Sequence, residues 1–173
     1  MMNFKSFLMV AAMLLAIGTG AQAGVAQLQV IHNSADPAAE MVDVYVNGDL
    51  LLDDFAFRTA TPFVEVPAGV ELNIGVAPST SMSPSEILAT FPVTLAHGGK
   101  YVVMANGVLD PNAFAGNPDG KATGFNLYVK DHARTSARWH RYVDLVAFHG
   151  ATDAPTVDIL IPVSYTHLTL PTN

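Results

Sequence analysis

One motif occurs twice in this chain, and its spacing sets the size of the folding unit. Residues 30–46 read VIHNSADPAAEMVDVYV and residues 146–161 read VAFHGATDAPTVDILI. With the histidines aligned, His32 matches His149 and Asp36 matches Asp153. After a two-residue gap in the second copy, Asp43 matches Asp158. His149 lies 117 positions beyond His32 (149 minus 32). That period is far longer than the roughly 20–50 residues of a solenoid repeat and implies tandem domains. The chain then holds one complete unit and the start of another.

Between the two motifs the pattern is one of short strands and tight turns. Residues 42–46 alternate, with valines on one face and Asp43 and Tyr45 on the other. This is the period of a half-buried strand, and it predicts that Asp43 faces away from the core. Asn47-Gly48 follows, a strong hairpin signal because both turn positions favour positive φ. Residues 49–52 return. Further strands are predicted over 61–66, 70–76, 87–95, 101–105 and 125–129, with Pro67-Ala68-Gly69 and His97-Gly98-Gly99 as turns. No strong helical period follows residue 23. The expected fold is all-β: an immunoglobulin-like antiparallel β-sandwich of seven or eight short strands. The second unit would supply two strands, too few to close a core.

The first residues predict export. Residues 1–23 carry one charge, Lys5, then the apolar run 7–17, then Ala21-Gln22-Ala23. That order is a secretory signal with cleavage before Gly24. The apolar run is about half the roughly twenty residues a membrane span needs. No cysteine stands at the junction, so the lipoprotein route is closed, and no later segment is apolar enough to cross a membrane. The expected address is periplasmic, extracellular or the cell surface. Removing Lys5 from the eight basic residues leaves seven against fifteen acidic ones, a net of −8. Nucleic acid and anionic membrane surfaces both demand positive charge, so neither is an expected partner. With no cysteine at all, the exported unit must be held by its core. About 108 residues suffice for a modest one.

The division of the chain follows: 1–23 signal, 24–131 complete unit, 132–142 linker, 143–161 truncated start of a second unit, 162–173 a non-native tail. The tail resembles the translated end of a transposase-based sequencing-library adapter, over about residues 163–172. It interrupts an expected strand, so the natural protein is expected to be longer. Tyr165 and His167 therefore carry no functional argument.

The ordered motifs V-I-H-x-S-x-D-P, V-D-V-Y-V-N-G, F-x-T-A-T, E-V-P-A-G and G-K-Y-V-V resemble the bacterial exported family catalogued as domain of unknown function 4397. The resemblance covers about residues 27–131, with a second start at 143–161. Residues 36–41, DPAAEM, stand where the family usually has the shorter D-A-P-x, which the second copy keeps at 153–156. The resemblance implies a secreted or surface β module, often in tandem, and supplies no activity.

His32, Asp36 and Asp43 offer an imidazole and two carboxylates, the minimal kit for a metal site or an acid–base pair. The competing reading is structural: Asp36 starts a turn before Pro37, and His32 and Asp43 tie neighbouring strands by hydrogen bonds. It applies equally to His149, Asp153 and Asp158, because recurrence suits folding as well as function. Residues 110–120 concentrate oxygens that could attract Ca²⁺, but their spacing matches no loop of fixed ligand order. Arg134, Arg138, Arg141 and Trp139 could hold an anionic polymer; a solvated linker whose Trp139 packs on a domain is the alternative. Ser79, Ser81, Ser83 and Ser85 lie in a Pro/Ser-rich loop without a nucleophile elbow. The expectation is a non-catalytic surface, matrix or spacer module with no cofactor, whose partners are a surface polymer or other protein domains. The alternative is a carbohydrate- or calcium-binding domain.

Overall fold

The computed structural model describes residues 24–160. The expected signal and the adapter-like tail lie outside the described residues. Eight strands run β1 Gly24–His32, β2 Met41–Val46, β3 Asp49–Ala56, β4 Val64–Ala68, β5 Glu71–Pro78, β6 Ala89–Thr94, β7 Lys100–Asn106 and β8 Asn126–Lys130. They form two four-stranded sheets, ordered β4-β1-β7-β8 and β3-β2-β5-β6. This is the β-sandwich that the strand pattern predicts.

β1 shows how the sequence builds a face. Ala26, Leu28, Val30 and His32 occupy alternate positions and all four are buried. The strand lies inside its sheet, antiparallel to β4 and parallel to β7. The opposing sheet contributes Val42, Val44, Val46, Leu72, Ile74 and Val76 to the same core. Each fully buried aliphatic side chain contributes about 1.5–3 kcal/mol, and this layer is the main source of stability in a chain without disulfides.

The β2–β3 hairpin closes through Asn47 and Gly48, at φ 52° and 91°. Both values are positive, as a two-residue turn that matches strand twist requires. The pairing of β2 with β3 slips on either side of Val44, so the ladder carries a bulge. Pro67 and Pro92 fall in β4 and β6, both edge strands, where a missing N–H costs no ladder bond.

Two strands begin later than the pattern suggests. β4 starts at Val64, and β6 starts at Ala89 because Pro84–Glu86 forms a 3-10 turn. Between residues 131 and 160 no strand forms. Residues 157–159 repeat the Val-Asp-aliphatic pattern of β2, but Val157 and Ile159 are exposed. A strand needs a ladder partner, and this segment has none. The stretch after β8 is tied back at Ala133, whose N–H donates to Lys100 O at 2.9 Å. Arg134 pairs with Asp144 at 2.8 Å. Trp139 does not pack on a domain: it is 64% exposed, with only the Arg138 guanidinium 6.0 Å over its ring.

Candidate functional site

His32 is the last residue of β1 and continues that strand's inward row, so the alternation that buries Val30 buries the imidazole too. Its Nε2 lies 2.7 Å from Ala39 O. A carbonyl only accepts, so Nε2 carries the proton. Nδ1 accepts from the Ser34 N–H at 3.4 Å. Both contacts fit the neutral ring. Burial holds its pKa below the ordinary 6.5, against the smaller opposing pull of the Ala39 carbonyl. Phe55 and Phe57 flank it at 5.8 and 6.1 Å between ring centres.

Asp36 supplies the turn that brings Ala39 to His32. Its Oδ1 accepts from Ala38 N at 2.9 Å and caps the 3-10 turn Pro37–Ala39. Pro37 fixes the first φ of that turn and has no N–H to satisfy. Oδ2 accepts from Leu109 N at 2.8 Å, in the loop between β7 and β8. Ser34 Oγ donates to Gly107 O at 2.7 Å in the same loop. The entry to the turn is thus held at two points by a segment 73 positions away.

Asp43 departs from expectation. The alternation of β2 is present, but the face opposite the core is not solvent. Residues 79–88 fold over it, leaving Asp43 0% and Tyr45 3% exposed. Ser81 Oγ donates to Asp43 Oδ2. Ser81 has one hydroxyl proton, so Tyr45 OH, 2.9 Å away, is the donor in their contact. Asp43 Oδ1 accepts from Asp54 N at 3.0 Å. Ile87 covers neighbouring Gly75, where an added Cβ would lie 2.6 Å from its Cδ1. Glycine is what lets the loop settle there.

The three candidate residues do not converge. Among the described residues, one oxygen each of Asp43, Asp53 and Asp54 lies within 4.8 Å of the others. Neither His32 nor Asp36 belongs to that group. Partial desolvation, then the charges of Asp43 and Asp54, raise the Asp53 pKa above its usual value. Asp54 sits at φ 53°, in the left-handed region that Asp tolerates better than most residues. Sequence reasoning missed Asp53 and Asp54, and it placed Ser81 in a loop without its bond to Asp43. The adjacent carboxylates on the returning hairpin strand were the available signal for the first two.

In the second copy, His149, Asp153 and Asp158 are exposed. His149 Nε2 lies 3.0 Å from Pro155 O. In the 110–120 loop the polar side chains make local turns: Asp110 Oδ1 accepts from Asn112 N at 3.0 Å, and Asn117 Oδ1 from Asp119 N at 2.9 Å. The serine loop brings Ser81 to Asp43 and Tyr45, and Ser83 to Ser85.

Fold and contacts together define an all-β sandwich module in which His32, Asp36 and Asp43 of the first copy bond within the module itself. A model of the family described as Domain of unknown function (DUF4397) matches residues 26–160, and the chain belongs to that family. The match runs through both copies of the motif. No curated protein matches the chain.

Proposed function

We propose that the chain is an exported, non-catalytic β-sandwich unit that serves as a surface, matrix or spacer element. The observation that carries this reading is where the motif's polar atoms go. Both ring nitrogens of His32, both oxygens of Asp36 and both oxygens of Asp43 have partners inside the fold. Among the described residues, no buried side-chain nitrogen or oxygen lacks one. A histidine whose Nε2 donates and whose Nδ1 accepts has no lone pair left for a metal or for a substrate proton. Cleavage before Gly24 would leave β1 whole at the start of the mature chain.

A second reading rests on the grouping of Asp43, Asp53 and Asp54, which offers oxygen ligands of the kind Ca²⁺ takes. One experiment separates the two. Protein exported from a bacterial host is N-terminally sequenced, analysed for bound metal, and melted with calcium and with chelator. The spacer reading expects Gly24 as the first residue, no stoichiometric metal and a calcium-independent melting temperature. Retention of Met1 overturns cleavage before Gly24. A calcium-raised melting temperature that Asp53→Asn abolishes replaces the spacer reading with the cation-binding one.

A further inference from the structure

The loop between β7 and β8, residues 107–125, touches both copies of the repeated motif. From inside it holds the first copy, through Leu109 N to Asp36 and Ser34 Oγ to Gly107 O. From outside it holds the second. Asn117 Nδ2 donates to Thr152 O at 3.1 Å and to Ala154 O at 2.9 Å, clamping the turn between them. Asp119 Oδ2 accepts from both Thr156 N and Thr156 Oγ1 at 2.7 Å. Lys121 Nζ donates to Thr156 Oγ1 at 2.9 Å. The Phe148 ring packs 5.3 Å from that of Tyr128 in β8.

The two copies also meet directly. Asn33 and Gly150 each follow the histidine of their copy. Asn33 Nδ2 donates to Asn106 Oδ1 at 2.8 Å, and Asn106 Nδ2 donates to Gly150 O at 3.0 Å. A Cβ at Gly150 would lie 2.4 Å from Asn33 Nδ2 and 2.6 Å from Asn106 Oδ1. A side chain at position 150 would therefore have to displace the two asparagine amides that link the copies.

We propose that the 107–125 loop, with Asn106 and Tyr128, is an inter-unit joint: a seat that recognises the opening segment of the following unit and fixes its orientation. The seat reads three things. Asparagine amides take the backbone carbonyls of residues 150, 152 and 154. Asp119 and Lys121 take the hydroxyl of Thr156. The close approach of Asn33 and Asn106 disfavours a side chain at position 150, which would have to push both amides aside. Together these specify the start of a repeat, and the connecting residues 131–147 need only span the gap. The inference deepens the spacer reading and rests on it, since a fixed joint is what converts tandem units into a stiff rod.

The test is backbone NMR relaxation on the full chain. Rigid backbone has an order parameter of about 0.85 and flexible backbone less than about 0.6. Residues 148–156 are expected to match the strands, whereas residues 136–142 fall lower. Gly150→Val, which lies outside the sandwich, should release residues 148–156 to the flexible range and leave the signals of β1 to β8 in place. Asn117→Ala combined with Asp119→Ala should do the same from the other side. A flexible 148–156 segment in the unaltered protein overturns the joint, as does a segment that stays rigid in Gly150→Val. These outcomes are separate from the spacer reading, which falls to a bound metal or an altered N-terminus while the joint stands.

Discussion

The two copies of the motif share a local contact and differ in everything that lies beyond it. In both, the histidine Nε2 faces a backbone carbonyl a few residues on: Ala39 O at 2.7 Å from His32, Pro155 O at 3.0 Å from His149. Yet His32 is 0% exposed, between two phenylalanines, and His149 is exposed. The Val-Asp-Val that follows in the first copy is a central strand; the matching segment in the second pairs with nothing. The histidine-to-turn contact thus forms from the local sequence. Burial, pKa displacement and strand pairing come from the rest of a sandwich.

The largest expected effect sets His32→Ala against His149→Ala. The first removes a buried donor from Ala39 O and enlarges a core cavity of about 20 Å³ that His32 already lines. A loss of roughly 3 kcal/mol is expected from the unsatisfied carbonyl and the added void. His149→Ala should stay within about 0.5 kcal/mol, as at an ordinary surface position. Urea titration of both variants measures the contrast, and equal losses would break it.

Asp36→Ala should cost about 2 kcal/mol, because the carboxylate caps one turn and also holds Leu109 N. Asp153→Ala, at an exposed position, should be nearly neutral. The same titration reads both.

Acid should read out the burial of His32 next. The folded-state pKa of His32 lies below 6.5, so the unfolded chain binds this proton more readily. Its contribution to stability is complete above pH 6.5, falls as pH drops through that value, and levels off below the folded pKa. The slope for one proton is at most about 1.4 kcal/mol per pH unit. Stability measured from pH 7.5 to 5 should flatten in His32→Gln. An unchanged slope in His32→Gln would show that the buried ring does not couple to folding.

The smallest effect concerns the second copy as a whole. A chain ending at Asp131 should still melt cooperatively, with stability lower by about 1 kcal/mol, since half of the lost hydrogen bonds to residues 148–156 are exposed and none belongs to the sandwich core. Failure to melt cooperatively would make the second copy part of the first core.

Local signals in the sequence were readable where the chain makes local contacts. Asn47-Gly48 marked the hairpin, and the alternation of residues 70–76 marked β5. Pro37 after Asp36 marked the capped turn. What could not be read was whatever lies across a face. The period of residues 42–46 puts Asp43 opposite the valines, but periodicity does not say what covers that side. The covering loop, STSMSPSE, is polar and aperiodic, and nothing in it announces that Ser81 reaches Asp43. The burial of His32 was open to inference from Ala26, Leu28 and Val30, whose inward row it extends. The ties of Asn33, Ser34 and Asp36 to residues 106, 107 and 109 span 73 positions and leave no local trace.

The parallel pairing of β1 with β7 has a consequence for the time course of folding. Gln27 pairs with Lys100 and His32 with Ala105, so the strand at the heart of its sheet waits for one 73 positions later. Closing so long a loop costs entropy before any contact repays it, and topologies dominated by such pairings fold in milliseconds to seconds. A nascent chain can pair its first strand with β4 earlier, but it cannot complete that sheet until residues 100–106 have emerged. Under the export proposed above, slow closure of this kind would keep the polypeptide competent to pass through a translocation pore, with the sandwich closing on the far side.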